Sequence, residues 1–167
     1  TLMHPIHLEL AQESLSLYQT LHRHRREMDF YFPIPEKEHP LLSQRIEPSL
    51  PKRWNIQRGF LQGSIDFIFE HKGKVYFVDW KSNRLSNYTE ATLNQEVEGH
   101  YQLQYRIYTL AVIKWLQIQS QEDFEKRFGG IFYIFLRGMP EGNGTYYRRP
   151  EWQEVIGYET QLLEQAY

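Results

Sequence analysis

The sequence predicts an α/β protein in which a mixed central sheet is flanked by helices. Aromatic and β-branched runs on both sides of His71-Lys72-Gly73-Lys74 indicate a β-hairpin with a four-residue loop. The near-continuous apolar run from Gly129 to Leu136 is typical of a strand covered on both faces. Between them, residues 89–119 are expected to be helical. The part from His100 to Gln119 is apolar on much of its circumference, so it is expected to pack against the sheet.

The N-terminal half is expected to lead into this sheet. Residues from Ile6 to about Arg26 predict a partly buried helix. Its apolar positions are Leu8, Leu10, Leu15, Leu17 and Leu21. Met28 to Ile34 alternates like a strand, and Pro33 near its end places it at a sheet edge. The proline-rich stretch from Pro35 to Lys52 predicts a long connection, and Trp54 to Phe60 is expected to begin the strand system.

In the C-terminal half, turn residues divide the remaining elements. The helical region from Thr89 to about Gln119 is expected to form two segments divided near Gly99. Glu141 to Gly144 predicts a turn, Thr145 to Arg148 a short strand, and Glu151 to the end a final helix.

Composition limits the possible functions. The chain has 167 residues, of which 16% are aromatic and 41% apolar, so residues 1–167 are expected to form one globular domain. The net charge of −2 argues against coating nucleic acid through bulk charge. Basic residues cluster at residues 22–26 and 148–149, where they form either solvated faces or local binding sites. The absence of cysteine excludes disulfides, thiolate-held zinc and iron–sulfur clusters.

The sequence shows neither a membrane-spanning segment nor an export signal. The longest apolar stretch, from Ile107 to Leu116, is interrupted by Thr109 and Lys114 and is too short to cross a bilayer. No basic-then-apolar leader opens the chain, so a cytoplasmic location without membrane contact is expected. The start at Thr1 suggests a fragment of a longer polypeptide.

Two aspartates and a lysine are expected to meet on the predicted hairpin. If Glu70 faces Val75, the same register places Asp66 opposite Asp79, with Cβ atoms about 4.5–5.5 Å apart. Carboxylates this close repel each other unless a proton or a cation lies between them. Lys81, two residues after Asp79, points to the same face. This constellation suits a hard divalent ion beside a phosphate.

A structural interpretation remains open. Acidic hairpin residues are usually solvated, and an Asp-x-Lys pair at a surface contributes well under about 1 kcal/mol. Aspartate is nevertheless disfavoured in strands, and here each one interrupts an apolar run. The opposite face supports the register, because Ile65 is expected to meet Trp80, Phe67 to meet Val78 and Phe69 to meet Tyr76. A one-residue slip would separate the acids.

Gln104 and Tyr108 form a second candidate pair. Four residues apart on a helix, they project from the same side. They are either ordinary packing residues or an amide and a phenol that hold a phosphate or brace the lysine.

The ordered set Asp66, Asp79-Trp80-Lys81-Ser82-Asn83 and Gln104-x-x-x-Tyr108 resembles the signature of the PD-(D/E)xK, restriction-endonuclease-like superfamily. More narrowly, the chain is similar to the C-terminal nuclease domains of RecB subunits of RecBCD helicase–nucleases. The likeness covers roughly Arg25 to Pro150. Its supporting stretches are Glu27–Ile34, Gly63–Asp66, Leu103–Ala111 and Phe128–Gly138.

The resemblance implies a restriction-endonuclease-like fold and a Mg²⁺-dependent exo- and endodeoxyribonuclease that acts in double-strand break repair and recombination. It implies that Asp66, Asp79 and the main-chain carbonyl of Trp80 bind the metal. Lys81 would orient or help to deprotonate the attacking water. DNA and RecC- and RecD-like subunits would be its partners.

The resemblance also implies supporting roles for Gln104 and Tyr108, and it matches Glu27 to an acidic position near the family's site. The family's upstream metal-binding histidine has no clear counterpart, because the surroundings of His4 and His7 do not match its motif. No G-x-x-x-x-G-K-[ST] phosphate loop is present, so helicase domains are absent. The chain is expected to be a nuclease domain short of its N-terminal part. The alternative is a catalytically inactive nuclease-fold module that binds DNA or docks a partner subunit.

Overall fold

The computed structural model describes residues 6–10, 13–33, 55–57 and 60–163. The strands are β1 (His7–Leu10), β2 (Glu13–Ser16), β3 (His24–Pro33), β4 (Asn55–Gln57), β5 (Phe60–His71), β6 (Lys74–Lys81), β7 (Phe128–Phe135) and β8 (Thr145–Arg148). The α-helices are α1 (Glu90–His100), α2 (Gln102–Trp115), α3 (Gln121–Arg127) and α4 (Trp152–Leu163). Short 3₁₀ helices span Leu17–Thr20 and Met139–Glu141.

The central sheet is mixed, which confirms the predicted fold class. Its strand order is β3-β5-β6-β7-β8, with β4 paired to β5. β6 and β7 are parallel, and every other pair in the sheet is antiparallel. Parallel neighbours need a long crossover, and here α1, α2 and α3 provide it. β3 lies at an edge, as Pro33 at its end predicted.

The β5–β6 hairpin has the predicted register and a shorter loop. Phe67 faces Val78 and Glu70 faces Val75. The prediction of a four-residue loop is wrong, because His71 pairs with Lys74 and leaves only Lys72 and Gly73 in the turn. Both turn residues have positive φ, 48° and 76°, which is the requirement of a two-residue type I′ turn.

The predicted N-terminal helix is wrong. Strands β1 and β2 form an antiparallel pair in which Leu8 faces Leu15. The leucines at 8 and 10, and again at 15 and 17, repeat every two residues, which is the period of a strand. The end of the predicted helix already belongs to β3, which begins at His24.

The sheet carries a core on each face. The helices cover one face, where Phe77, Tyr108 and Tyr133 belong to the larger cluster of buried side chains. The β1–β2 hairpin covers the other face, where Leu8 and Leu15 join a smaller cluster with Phe67 and Phe69.

The other predicted elements have mixed outcomes. The two helical segments, the buried strand β7, the short strand β8 and the final helix are confirmed, with the helical break at Tyr101. Helix α3 was missed, although Ser120 accepts a hydrogen bond from the main chain of Asp123 as an N-cap. The predicted 35–52 connection lies outside the described residues, and of the predicted 54–60 strand the structure describes β4 and the start of β5. No helix in the described part of the chain is long and apolar enough to cross a membrane.

Candidate functional site

A buried polar network joins strand β6 to helix α2. Asp79, Lys81 and Gln104 are 4%, 5% and 0% exposed, although each carries a polar head group. Strand alternation directs Asp79 and Lys81 to the helix-covered face, together with Phe77. The Lys81 ammonium lies 2.7 Å from Asp79 Oδ2 and donates to Gln104 Oε1 at 2.8 Å. Gln104 Nε2 donates to Asp79 Oδ1 at 3.1 Å, so the three side chains form a closed triangle.

Two tyrosines extend this network. Gln104 Nε2 also donates to the Tyr108 hydroxyl at 3.1 Å, and that hydroxyl donates to the main-chain carbonyl of Ser64 at 2.9 Å. The Tyr133 hydroxyl donates to Gln104 Oε1 at 3.2 Å. Gln104 thus contacts both Lys81 and Asp79, whereas Tyr108 contacts Gln104 and the main chain of Ser64.

Asp66 lies beside this network, at the point where β5 and β6 separate. The last paired residues are Phe67 and Val78, and beyond them the main-chain N–H of Trp80 donates to Asp66 Oδ2 at 3.1 Å. Asp66 is half-buried, whereas Asp79 is buried. The expected facing pair of Asp66 and Asp79 is therefore not part of the ladder, and the Asp66 side chain accepts from the main chain of Trp80 instead.

The expected facing pair of Ile65 and Trp80 is wrong. Ile65 is buried in the cluster under the helices, whereas Trp80 packs against the cluster on the opposite face. The strands have already separated there, so the alternation that holds from Phe67 to Phe69 does not continue through Asp66.

Glu27 lies in a distorted part of β3, next to Asp66. Its φ of 51° is unusual for a residue other than glycine. The paired residues on either side of it are Arg26 with Phe67 and Met28 with Ile65. The exposed Glu27 lines a cleft of about 460 Å³. The other residues that line this cleft are Leu17, Leu21, Arg26, Asp66, Phe67 and Trp80.

Burial and charge act in opposite directions on Lys81. Burial lowers the pKa of its ammonium, because an apolar surrounding disfavours the charged form. Asp79 is the largest opposing influence, and the charges of Asp66 and Glu96 also favour the protonated lysine. Both carboxylates of the predicted site thus act electrostatically on the same ammonium.

The remaining candidates are placed as follows. His7 is exposed in β1, and His4 lies outside the described residues. Within the described ranges, no three His, Asp or Glu side chains converge in a way that could hold a metal by themselves. In the basic clusters, Arg23 pairs with Glu70, and the Arg148 and Arg149 guanidinium groups pair with glutamates of neighbouring helices.

Sequence analysis assigned no role to three side chains near Lys81. Tyr101 and Tyr133 place their rings beside its ammonium, and Asn83 donates to the Tyr101 hydroxyl at 2.7 Å. The position of Asn83 two residues after Lys81 was the only local signal, because the tyrosines come from distant elements.

Comparison with known proteins identifies the family of the chain. The sequence profile of the PD-(D/E)XK nuclease superfamily matches residues 6–166. The chain therefore belongs to the PD-(D/E)XK nuclease superfamily.

Within the superfamily, the chain is similar to RecB. It is 40% identical over 140 residues to the RecBCD enzyme subunit RecB of Haemophilus influenzae, covering 75% of this chain and 12% of that protein. It is 35% identical over 162 residues to the Escherichia coli RecB subunit, covering 84% of this chain and 14% of that protein. The expected resemblance to RecB nuclease domains is confirmed.

Proposed function

We propose that this chain is the nuclease domain of a RecBCD-type helicase–nuclease and hydrolyses DNA phosphodiester bonds with the help of Mg²⁺. The observation that supports it best is the buried Asp79–Lys81–Gln104 triangle beside Asp66. Burying a charged pair is costly, so the buried Asp79–Lys81 pair, which feels the charge of the cleft-lining Asp66, is a candidate for function as much as for stability.

The donor set beside the cleft fits a hard divalent cation. Asp66, Asp79 and the main-chain carbonyl of Trp80 would hold it, with Glu27 on the same cleft as a further acidic group. Mg²⁺ prefers oxygen ligands and is usually held by one or two carboxylates, with water and phosphate completing its shell. When bound, the ion would polarise a phosphoryl oxygen and lower the pKa of a water molecule.

The protein's own contribution is to fix Lys81. Gln104 accepts from the ammonium and donates to Asp79, so one amide sets the positions of both groups. A preorganised ammonium stabilises negative charge that develops on phosphate and orients an attacking water by hydrogen bonding. Gln104 and Tyr108 support this arrangement without contacting the reacting atoms.

The cleft beside Asp66 offers a surface for a DNA strand. Arg26 supplies a cation for a phosphate, and Leu17 and Leu21 supply an apolar wall for sugar or base. In a complete RecBCD-type complex, RecC- and RecD-like subunits would deliver the strand to this cleft.

The proposal is tested by DNA cleavage with and without Mg²⁺. Asp79→Asn and Lys81→Met keep the side-chain size but remove the charges, and each is expected to lower cleavage at least about 100-fold. Asp123→Asn and Lys126→Met make the same changes on α3, where Lys126 forms an exposed pair with Glu122. These controls are expected to keep wild-type activity. Unchanged cleavage by either site variant would refute the proposal.

A second candidate function is a non-catalytic module that uses the nuclease fold to bind DNA or a partner. It is favoured by the finding that, among the described residues, no three His, Asp or Glu side chains converge. Calorimetric titration with Mg²⁺ and Mn²⁺ separates the two. Absence of binding at millimolar metal, with DNA affinity retained, would support the module and contradict the nuclease.

A further inference from the structure

The Lys81 ammonium lies against two stacked tyrosine rings. Its Nζ is 3.8 Å from the Tyr101 ring centroid and 5.0 Å from the Tyr133 ring centroid. The two rings stack with centroids 5.5 Å apart and planes inclined by 26°. All three side chains are buried, with Tyr101 3% and Tyr133 0% exposed. We call Tyr101 and Tyr133 the aromatic pair.

The fold holds Tyr101 from several directions. Tyr101 is the single residue between α1 and α2, so the break between the helices fixes its backbone. Its hydroxyl accepts from Asn83 Nδ2 at 2.7 Å, and Asn83 follows Lys81 by two residues in the chain. Tyr133 behind it lies in β7, opposite Asp79 in the parallel β6–β7 pair. The ring is therefore fixed by a helix break, a hydrogen bond and a stacked neighbour.

The aromatic pair completes the surroundings of the ammonium. A lysine ammonium has three N–H donors, and Asp79 and Gln104 provide its two close oxygen partners. The face of a tyrosine ring carries negative charge density and attracts a cation within about 6 Å of its centroid. This attraction is stronger at a buried position than at a solvated one. The ring face of Tyr101 thus adds a third attraction to those of the two oxygens.

We propose that Tyr101, stacked on Tyr133, is a positioning residue that holds the Lys81 ammonium by a cation–π contact. It keeps the ammonium in place without adding a second carboxylate, which would compete with Asp79 and draw the lysine away. The catalytic consequence rests on the proposed nuclease function, whereas the contact itself does not. Tyr101 does not touch the reacting atoms.

The first test compares Tyr101→Leu with Tyr101→Phe in the full chain. The leucine variant loses the ring, and the phenylalanine variant loses only the hydroxyl that Asn83 contacts. Tyr105→Leu is the matched control, because Tyr105 is an equally buried tyrosine on α2 whose ring lies under Arg148 instead of Lys81. Thermal unfolding of each variant reports the general cost of removing a buried tyrosine.

Two readouts separate positioning from packing. Tyr101→Leu is expected to lower kcat about tenfold with KM unchanged within about twofold, and Tyr101→Phe to stay within about threefold of wild type. In NMR spectra, the side-chain ε protons of Lys81 are expected at upfield ring-shifted positions in wild type and Tyr101→Phe. They are expected to move downfield in Tyr101→Leu and to stay unchanged in Tyr105→Leu.

A shape-conserving replacement covers the case in which Tyr101→Leu fails to fold. Tyr101→pentafluorophenylalanine keeps a ring of similar size but reverses the charge distribution of its face, so it is expected to lower kcat as much as leucine does. Equal kcat for this variant and Tyr101→Phe would overturn the proposal. Equal losses in Tyr101→Leu and Tyr105→Leu, or an unmoved Lys81 resonance in Tyr101→Leu, would also overturn it. If the wild-type chain cleaves no DNA, the proposed function fails, and the NMR comparison alone decides whether the aromatic pair holds Lys81.

Discussion

At the scale of single residues, Gln104 connects the side chains of the buried polar network by hydrogen bonds. Its amide donates to Asp79 and Tyr108 and accepts from Lys81 and Tyr133, with no exposed surface. Only an amide provides donors and an acceptor at one position in this geometry. A carboxylate in its place would keep the contact with Lys81 but would lose both donors and face Asp79 with a like charge.

Gln104→Glu is therefore expected to reduce the free energy of unfolding by about 3 kcal/mol at pH 7, because a second carboxylate is buried beside Asp79. Gln102→Glu is the matched control on the first, exposed position of α2. There the same change is expected to be neutral or slightly stabilising, since a negative charge near a helix N-terminus is favourable. Urea unfolding measures both, and equal stabilities would contradict this account of Gln104.

At this scale, sequence analysis could find Asp66, Asp79 and Lys81 because their chemistry is unusual for strand positions. It could also pair Gln104 with Tyr108, since helix geometry relates residues four apart. It could not find Tyr101 or Tyr133. Tyrosines are common in buried cores, and only the packing of α2 and β7 against β6 shows that these two face a cation.

At the scale of elements, the β3–β5 pair is packed closely next to the site. Gly63 faces Phe30 directly across the two strands. A Cβ at position 63 would lie 2.9 Å from Phe30 Cε1 and closer still to Cζ. The Phe30 ring in turn packs edge-on against Tyr108, with centroids 5.6 Å apart. The absence of a side chain at Gly63 thus allows the ring of Phe30 to lie over β5.

Gly63→Ala is expected to reduce the free energy of unfolding by about 1–3 kcal/mol, because the added methyl group forces the Phe30 ring to move. Gly99→Ala is the control in α1, where a Cβ meets no atom within 4 Å. Alanine there is expected to stabilise the protein by about 0.5–1 kcal/mol, since it favours the helix. Chemical denaturation of the two variants measures both changes in the free energy of unfolding. A destabilised Gly99→Ala, or a neutral Gly63→Ala, would be inconsistent with this packing.

The elements that sequence analysis predicted well have strong local signals. The β5–β6 register follows from the aromatic alternation, and β7 follows from an uninterrupted apolar run. The N-terminal hairpin was mistaken for a helix because Leu8, Leu15 and neighbouring leucines fit both periods over so short a segment. Tertiary contacts favour the strand conformation of this segment, because β1 and β2 cover the face of the sheet that the helices leave open.

At the scale of the whole molecule, folding removes several tyrosine side chains of strands β7 and β8 from contact with water. Burial raises the pKa of Tyr146 to about 12, and the hydrogen bond to Glu98 adds to this. Burial likewise raises the pKa of Tyr147 to about 12, with Tyr76 as a smaller influence. Burial also raises the pKa of Tyr133 well above its usual value near 10. Between about pH 10 and 12, the folded protein therefore keeps these tyrosines protonated, whereas the unfolded chain would have released their protons.

This difference predicts that alkali destabilises the fold. A group whose pKa is raised in the folded state contributes its full stability below its unfolded pKa, here about 10, and loses it as the pH rises toward the folded value. The contribution of these tyrosines to the free energy of unfolding is therefore expected to be steady up to about pH 9.5 and to fall between pH 10 and 12. Urea titrations across this range measure it, and the absorbance of tyrosinate near 295 nm reports the ionisation directly. Tyr146→Phe and Tyr147→Phe should each flatten the decline, whereas Tyr18→Phe, at a side chain that is 79% exposed, should not. A decline that is equally steep in all three variants would show that other groups, and not these buried phenols, make the fold sensitive to alkali.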